Sequence, residues 1–244
     1  LISGMIGSRQ GWVAAPYVRC PASPGAIAAG LMPVAGETQV FIVPGVAIRP
    51  SNGAPDVMRG EETQILGLLG AADADRLFVM PGTHSKWVRV TNGVIMSFAT
   101  YMTGELFAVL RGHSILGALM ADGGEDAGFG RGIADGFHHG GTGLLRSLFG
   151  VRARGLFDEL SPIEAPGYLS GLLIAGELNE ALAGETGDLA RSQGVTLVGA
   201  GGLSQLYARA LAQKGIGVNM SGEDSAARGL WRVAVAKGLV GADG

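Results

Sequence analysis

Residues 77–100 read LFVMPGTHSKWVRVTNGVIMSFAT and contain three short runs of β-forming residues, separated by two turns. The runs lie at 77–80, 87–91 and 94–100. Asn92 and Gly93 join the second run to the third, and this pair favours the positive φ angles of a type I′ hairpin turn. The stretch therefore predicts an antiparallel meander of three strands.

On either side of the meander, strand patterns alternate with helix patterns. Further β-rich runs lie at 39–43 and 195–199, and helical periodicity appears at 61–69, 105–110, 168–182, 203–213 and 224–237. The interval 120–143 is rich in glycine and histidine, and Pro162 and Pro166 interrupt the residues that follow it. Both stretches are therefore predicted to be loops or broken helices. This order of elements predicts a mixed α/β fold.

The composition fits a globular chain with a sizeable core and argues against several classes of protein. Of the 244 residues, 47% are hydrophobic and 16% are charged, which excludes an intrinsically disordered chain. The formal net charge is −3 without a long basic run, so a nucleic-acid-binding surface has no electrostatic basis. No run approaches the ~18 consecutive apolar residues of a membrane span. The first residues also lack the basic segment and cleavage pattern of a signal peptide.

Three residue types, glycine, cysteine and histidine, narrow the possible chemistry. Glycine accounts for 43 residues without a collagen-like period, and this excess predicts glycines in turns and where the backbone approaches another group closely. Cysteine occurs once, at Cys20, so an intrachain disulfide is excluded. The histidines at 84, 113, 138 and 139 lack the spacing of a zinc site, and no metal site is predicted.

The turn PGTHSKW at 81–87 has the residues of an anion-binding site. Such a site needs residues without a Cβ, hydroxyl groups as additional donors, and a cation within reach. These three requirements are met by Gly82, Thr83, Ser85 and Lys86. An ordinary β-turn with polar surface residues accounts for the same sequence equally well.

The segment MRGEETQ at 58–64 places two acidic residues at a predicted helix start. The helix dipole favours a carboxylate there, which accounts for one of Glu61 and Glu62. A carboxylate at this position could also accept the proton of a substrate hydroxyl, as the base of a phosphoryl transfer does. From these residues alone, a capped helix with a solvated ion pair to Arg59 is the favoured interpretation.

Residues 195–203, VTLVGAGGL, form a strand that ends in glycines and opens a helix. A turn of this kind lets a nucleotide lie against the backbone at the carboxyl end of a strand. The spacing is shared by many α/β folds and differs from the dinucleotide pattern GxGxxG. It therefore supports a nucleotide site without identifying one.

Residues 3–12, SGMIGSRQGW, bring three glycines, a hydroxyl, a guanidinium, an amide and an aromatic ring into one loop. These groups suit a small pocket for a polar ligand. Within it, Arg9 could hold a carboxylate through two parallel hydrogen bonds. A plain surface turn is the alternative.

Five motifs, in order along nearly the whole chain, resemble those of the 2-dehydro-3-deoxygalactonokinase family. They are SGMIGSRQGW at 3–12, VMRGEETQILG at 57–67, MPGTHSKWVRV at 80–90, MTGEL at 102–106 and YLSGLLIAGE at 168–177. The resemblance implies the sugar kinase/Hsp70/actin superfamily, with two ribonuclease-H-like domains (the actin-like ATPase fold) and ATP in the cleft between them. It also implies a cytoplasmic enzyme of galactonate catabolism that uses ATP and Mg²⁺ to phosphorylate the 6-hydroxyl of 2-dehydro-3-deoxy-D-galactonate.

The resemblance also assigns roles to individual positions. The loop that approaches the nucleotide phosphates matches Gly82, Thr83, His84, Ser85 and Lys86, and the turn on the adenosine side matches Gly199, Gly201 and Gly202. The sugar-contacting loop matches Gly7, Ser8, Arg9, Gln10 and Trp12. Glu61 stands where related sugar kinases carry the catalytic acid, with Glu62 as a close competitor. Arg59 completes the catalytic group, and either it or Arg9 holds the substrate carboxylate.

The resemblance implies three parts of the chain: 1–70, the remainder of the sugar-binding domain; 71–222, the nucleotide-binding domain; and 223–244, a C-terminal helix that returns to the interdomain region. The family opens with a strand pair that carries an Asp-x-Gly-Ser/Thr phosphate loop. This sequence has no such motif at its start, so the first domain is expected to be incomplete at its N-terminus. Another chain could cover the unpaired strand edges, which would make a homodimer. The alternative to a kinase is a non-catalytic ligand-binding or scaffold relative of the same fold.

Overall fold

Ten strands and nine α-helices lie in the part of the chain that the structure, a computed structural model, describes: residues 1–50, 53–70, 75–124, 126–138, 143–199, 201–222 and 224–241. The strands are β1 (Tyr17–Arg19), β2 (Met32–Pro33), β3 (Phe41–Ile42), β4 (Gly45–Ile48), β5 (Asp56–Met58), β6 (Arg76–Met80), β7 (Ser85–Thr91), β8 (Val94–Tyr101), β9 (Val195–Leu197) and β10 (Val218–Met220). The helices are α1 (Pro24–Ala29), α2 (Glu61–Leu68), α3 (Thr103–His113), α4 (Phe129–His138), α5 (Leu144–Leu156), α6 (Glu164–Ala181), α7 (Glu185–Gln193), α8 (Gly202–Gln213) and α9 (Ser225–Lys237). Within the described residues, none of the helices combines the length and the apolar character needed to cross a bilayer.

The largest sheet has five strands in the order β10-β9-β6-β7-β8 and is built around the predicted meander. Strands β6, β7 and β8 pair antiparallel, and β9 joins β6 in parallel. Between β7 and β8, Asn92 has φ 49° and Gly93 has φ 71°, the left-handed angles that a type I′ turn requires. The predicted meander and its turn are confirmed, and so is the mixed α/β fold.

A three-stranded sheet, β1-β4-β5, is joined to the edge of the meander at two points. The backbone of Ala22, just after β1, bridges that of Ile95 in β8. The Asp56 carboxylate in β5 accepts hydrogen bonds of 2.7 Å from both the amide and the hydroxyl of Thr100 in β8. Strands β2 and β3 pair with each other as a separate antiparallel ladder.

The apolar core extends from the first part of the chain into the meander. Successive side chains of a strand point to opposite faces, so Phe78 of β6 packs into one buried cluster and Val79 packs into another. The cluster that holds Phe78 also contains Val46 of β4 and Val233 of α9. One apolar cluster therefore includes residues from all three predicted parts of the chain.

Glycines let two pairs of helices approach closely. Where α9 crosses α2, a Cβ on Gly229 would lie 1.8 Å from the carbonyl oxygen of Thr63, and one on Gly67 would lie 1.8 Å from that of Ser225. Helices α4 and α6 meet in the same way at Gly132. Glycine at close approaches, predicted from the composition, is confirmed at these crossings.

The prediction of loops or broken helices after residue 120 is wrong for two stretches, which form α4 and α5. Helix α4 contains several glycines, and its close packing against α6 outweighs their weak helix propensity. Pro166 is the third residue of α6, a position where the missing N–H costs no helical hydrogen bond. His139, one of the histidines without zinc-site spacing, lies outside the described residues.

Candidate active site

The start of β7, just after the turn that joins it to β6, and the start of α2 meet at an ion pair. Nζ of Lys86 lies 3.2 Å from Oε1 of Glu61 and donates a hydrogen bond of 3.0 Å to the carbonyl oxygen of His84. The Lys86 side chain is 5% exposed, whereas that of Glu61 is 26% exposed. The structure therefore brings together the cation of the predicted phosphate turn and one of the two candidate bases.

The two adjacent acids at the start of α2 have different surroundings. Glu61 Oε2 accepts a hydrogen bond of 2.8 Å from the amide of Arg59, which leaves Oε1 for the ion pair. Glu62 is fully buried, and its oxygens accept hydrogen bonds from the Gly60 amide at 2.6 Å and from the Thr63 hydroxyl at 3.0 Å. Burial raises the pKa of Glu62 to about 7. Of the two carboxylates, Glu61 is the one that a ligand can reach.

The loop at 3–12 lies directly against the residues that precede Glu61. A Cβ on Gly60 would lie 3.1 Å from Cα of Gly4, and one on Gly7 would lie 3.0 Å from Nη1 of Arg59. The predicted sugar-contacting loop and the candidate base therefore adjoin.

The side chains of this loop differ in how open they are to a ligand. Arg9, Gln10 and Trp12 are exposed. Ser8 is half-buried, and its hydroxyl accepts a hydrogen bond of 3.2 Å from the amide of Gln10. Gly7 is buried against Arg59. The exposed guanidinium, amide and indole are free to contact a bound molecule.

Arg59 fastens the residues that follow the loop, Ala15 to Tyr17, to the start of α2. Its Nη2 donates a hydrogen bond of 2.7 Å to the carbonyl oxygen of Ala15, and its guanidinium lies 4.4 Å from the centre of the Tyr17 ring. Its Nε and Nη1 are buried and have no hydrogen-bond partner among the described residues. The interpretation of an ion pair between Arg59 and an adjacent acid is wrong, because Glu61 takes the backbone amide of Arg59 and pairs its charge with Lys86.

A cavity of about 300 Å³ lies between the predicted phosphate turn and α8, and Gly199, Gly201 and Gly202 are not among its lining residues. Gly82 and Thr83 line it on one side. Leu203 and Leu206, from the helix that follows the glycine turn, line it on the other. Its remaining walls come from α3, from α6 and from Tyr207 of α8, and they are mainly apolar. This size and character are typical of pockets for small molecules.

The turn before α8 depends on glycine at two positions. Gly199 has φ 132° and Gly201 has φ 97°, left-handed angles that strain a residue with a Cβ. Ser204 Oγ donates a hydrogen bond of 3.1 Å to the carbonyl oxygen of Gly199, and α8 begins at Gly202. The turn is thereby held at the amino end of the helix that lines the cavity.

Helix α3 supports the phosphate turn with its first residues, the MTGEL motif. A Cβ on Gly104 would lie 2.4 Å from the carbonyl oxygen of Gly82. The Glu105 amide donates a hydrogen bond of 2.9 Å to the carbonyl oxygen of Thr83, and its carboxylate pairs with Nε2 of His84 at the surface. Two motifs of the sequence thus form one structural unit.

Glu177 is a buried carboxylate that the sequence motifs did not mark as functional. It is 3% exposed and lies in an otherwise apolar stretch of α6, and this isolated charge is the signal that could have identified it. Ser85, predicted to donate to phosphate, is fully buried and donates its hydrogen bond to Glu177 at 2.8 Å. The structure therefore places Ser85 behind the turn, in contrast to the prediction.

Comparison with known proteins gives one consistent result. A family model described as 2-keto-3-deoxy-galactonokinase matches residues 1–233. A protein of Rhizobium meliloti (strain 1021) named as a probable 2-dehydro-3-deoxygalactonokinase is 40% identical over 235 residues, which cover 93% of this chain and 74% of the relative. The 2-dehydro-3-deoxygalactonokinase of Escherichia coli (strain K12) is 36% identical over 228 residues, with the same coverage of 93% and 74%.

The crystal structure of a Sinorhizobium meliloti protein, described as a candidate 2-dehydro-3-deoxygalactonokinase, has a similar fold. It gives a TM-score of 0.87 at 39% identity and covers 96% of this chain and 78% of that one. The family match over almost the whole sequence and the identity to both relatives agree with the motifs that surround Lys86 and Glu61. The chain belongs to the 2-keto-3-deoxy-galactonokinase family.

Proposed function

We propose that this protein transfers the γ-phosphoryl group of ATP to the 6-hydroxyl of 2-dehydro-3-deoxy-D-galactonate. The names of the two relatives supply the substrate class. The observation that carries the proposal is the ion pair between Lys86 and Glu61, because it sets a cation for phosphate beside a carboxylate for the attacking hydroxyl. Family membership favours this activity over the non-catalytic alternative.

The cavity suits the nucleoside of ATP, and the adjoining turn suits its phosphates. Phe107, Leu173 and Leu203 give the cavity apolar walls that fit a base ring. Gly82 and Thr83 stand at its edge, and Lys86 follows Thr83 by three residues, as the second residue of β7. A nucleotide bound in this order would direct its terminal phosphate toward Glu61.

Phosphoryl transfer depends on alignment and charge neutralisation more than on covalent chemistry by the protein. Lys86, drawn to the incoming triphosphate, would neutralise part of its charge and release Oε1 of Glu61. Glu61 would then accept the proton of the 6-hydroxyl, a contribution of ~10²–10⁴-fold to the rate. The hydrogen bond that its Oε2 accepts from the amide of Arg59 keeps the carboxylate in place during this step.

Mg²⁺ belongs to the proposal as the companion of the triphosphate, whose charge it neutralises when bound. Among the described residues, no three His, Cys, Asp or Glu side chains are grouped so that they could hold a metal ion. Mg²⁺ in kinases commonly takes most of its ligands from phosphates and water. We therefore assign no residue of this chain to the ion.

The loop at 3–12 suits the sugar acid, because it adjoins Glu61 and exposes polar side chains. The substrate carboxylate is assigned to Arg9, whose guanidinium is exposed. The unpaired nitrogens of Arg59 are buried, and its Nη2 already holds the backbone of Ala15. Arg59 therefore holds the segment that follows the loop and packs against Gly7, while Arg9 contacts the substrate.

The finer architecture is part of the same proposal. Family membership supports two ribonuclease-H-like domains at 1–70 and 71–222. The close crossing of α9 with α2 supports a C-terminal segment, 223–244, that returns to the first of them. A homodimer and a cytoplasmic location accompany this assignment, and light scattering in solution tests the first of these two expectations.

The function is tested by incubating the purified full-length protein with ATP–Mg²⁺ and 2-dehydro-3-deoxygalactonate. The expected result is release of ADP that depends on the sugar acid, with a 6-phosphate product identified by mass spectrometry. ATP without the sugar acid controls for hydrolysis. Binding of both ligands in calorimetry without ADP release would favour the non-catalytic alternative. No phosphoryl transfer to any 2-keto-3-deoxy sugar acid would refute the proposal.

A further inference from the structure

Glu177 gathers four hydrogen-bond donors around one carboxylate. Its Oε1 accepts a hydrogen bond of 2.8 Å from Nε1 of Trp87. Its Oε2 accepts hydrogen bonds from the hydroxyls of Ser85 at 2.8 Å, of Tyr207 at 2.5 Å and of Thr103. These partners come from β7, α8 and α3, so one side chain of α6 joins three other elements.

Two of these partners also face the cavity that the proposed function assigns to the nucleotide. Thr103 and Tyr207 line that cavity, whereas Glu177 and Ser85 are buried behind it. A hydroxyl that donates its proton to Glu177 retains lone pairs as acceptors for a ligand. Burial and the Glu177 charge raise the pKa of Tyr207 well above its usual value, so this phenol keeps the proton that it donates.

The floor of the cavity therefore offers acceptor oxygens rather than donors. A phosphate oxygen can only accept hydrogen bonds at neutral pH, so it gains nothing from such a floor. A ribose hydroxyl can donate, and the two acceptors suit it. The geometry therefore favours the nucleoside of ATP on the floor of the cavity and its phosphates at residues 82–86.

We propose that Glu177 is a positioning residue for the nucleotide. Through Ser85 it fixes the turn that carries Lys86, and through Thr103 and Tyr207 it orients acceptor oxygens toward a ribose hydroxyl. The inference rests on the proposed function, because it takes ATP as the molecule in the cavity.

The test compares Glu177→Gln with Glu180→Gln. Glu180 lies three residues further along α6 and is exposed, so it controls for the loss of a charge from the helix. In E177Q the new amide nitrogen must face either the N–H of Trp87 or the hydroxyls of Ser85, Thr103 and Tyr207. A hydroxyl that accepts a hydrogen bond from this amide no longer donates its own proton to residue 177, so its lone pairs are no longer directed at the cavity in the same way. The expected result is a rise in the Kd and KM for ATP on the order of tenfold, the effect of losing about one buried hydrogen bond. The KM for the sugar acid and both constants of E180Q stay near wild type.

Nucleotide analogues test the ribose contact directly. Wild type is expected to bind 2′-deoxy-ATP or 3′-deoxy-ATP roughly tenfold more weakly than ATP, because one analogue lacks the hydroxyl that donates to the floor. E177Q is expected to discriminate less between ATP and that analogue. Equal binding of ATP and both analogues by wild type would overturn the ribose assignment.

Two further results would overturn the positioning role. One is an unchanged affinity for ATP in E177Q, and the other is a parallel rise in KM for both substrates with a lowered Tm, which a purely structural contact would produce.

If E177Q does not fold, Tyr207→Phe gives the same readout, because it leaves three donors on Glu177 and removes one acceptor from the floor of the cavity. An unchanged affinity for ATP in Y207F contradicts the inference. Calorimetry measures ATP binding without turnover, so a wild-type protein that binds ATP and never phosphorylates the sugar acid refutes the proposed function alone.

Discussion

Glu61 and Glu62 are neighbours in sequence, yet one carboxylate meets Lys86 at 3.2 Å and the other is sealed from solvent. A general base must be reached by the hydroxyl that it deprotonates. Accessibility therefore separates two residues that the sequence pattern could not separate. Glu61 keeps the role of candidate base, and Glu62 holds the first turn of α2 through Gly60 and Thr63.

The substitution Glu61→Gln is expected to lower kcat by ~10²–10⁴-fold, the usual contribution of a general base. KM is expected to change little, because the lost interaction develops in the transition state. Steady-state kinetics of phosphorylation measures both constants. The matched control is Glu62→Gln, whose amide can still accept from Gly60 and donate to Thr63, and a wild-type rate in E61Q would remove Glu61 from the mechanism.

Glu62 also makes stability depend on pH in a definite direction. Burial raises its pKa from 4.5 to about 7 in the folded protein, so the folded state binds this proton more tightly than the unfolded chain. The stabilisation is fully present below pH 4.5 and is lost as the pH rises through about 7, with a span of up to about 3 kcal/mol in the free energy of unfolding.

This pH dependence is measured by urea unfolding of wild type and Glu62→Gln between pH 5 and pH 8. The difference between the two proteins isolates Glu62 from other titrating groups. Because glutamine stays neutral, E62Q is expected to gain stability relative to wild type as the pH rises. A constant difference across this range would show that Glu62 does not titrate there.

Arg9 is expected to set the affinity for the sugar acid. Its exposed guanidinium is assigned to the substrate carboxylate, and a hydrogen bond to a charged group contributes about 1.5–3 kcal/mol. Arg9→Ala is therefore expected to raise the KM for the sugar acid by roughly 10–100-fold, with the KM for ATP unchanged. Arg19→Ala, at an exposed arginine outside that loop, is the control, and an unaltered KM in R9A would return the role to Arg59.

Among the elements, α2 and α9 are coupled more tightly than their short lengths suggest. Gly229 of α9 and Gly67 of α2 each face a backbone carbonyl of the opposite helix, of Thr63 and of Ser225, at a distance that leaves no room for a Cβ. Two backbones in such contact cannot relax by rotating a side chain. Even a single methyl group added at one of these glycines is therefore expected to destabilise the crossing.

Gly229→Ala is expected to lower the free energy of unfolding by about 1–3 kcal/mol, because overpacking forces the backbone to shift. Gly150→Ala is the matched control, since a Cβ there meets nothing within 4 Å in the middle of α5. Replacing an unhindered helical glycine by alanine stabilises a helix by up to about 1 kcal/mol. Urea denaturation compares the two variants, and equal changes of the same sign would contradict this account of the crossing.

For the molecule as a whole, the predictable parts are those whose signals are local. The turn at Asn92 and Gly93 and the alternation on either side of it determine the meander without help from distant residues. Helix α4 could not be predicted, because its glycines disfavour a helix and its stability comes from packing against α6. The short strands β1 and β4 are defined by pairing with each other rather than by composition.

The candidate site divides in the same way. The glycine-rich segments at 82–86 and 199–202 can be recognised from their residue types, and the cavity between Gly82 and α8 is defined only by the fold. The pairing of Lys86 with Glu61 and the separate burial of Glu62 required the three-dimensional structure. The role of Glu177 was missed because its four donors come from three separate elements, β7, α3 and α8, and no local pattern contains them all.

The crossing of α9 with α2 has a consequence for the order in which the site can be assembled. Glu61 is the first residue of a helix whose other face rests on residues from Ser225 onward. A nascent or shortened polypeptide that ends before α9 would contain every motif from 3 to 106 and still lack the support for that carboxylate. Any activity that depends on Glu61 would thus arise only after α9 has docked against α2.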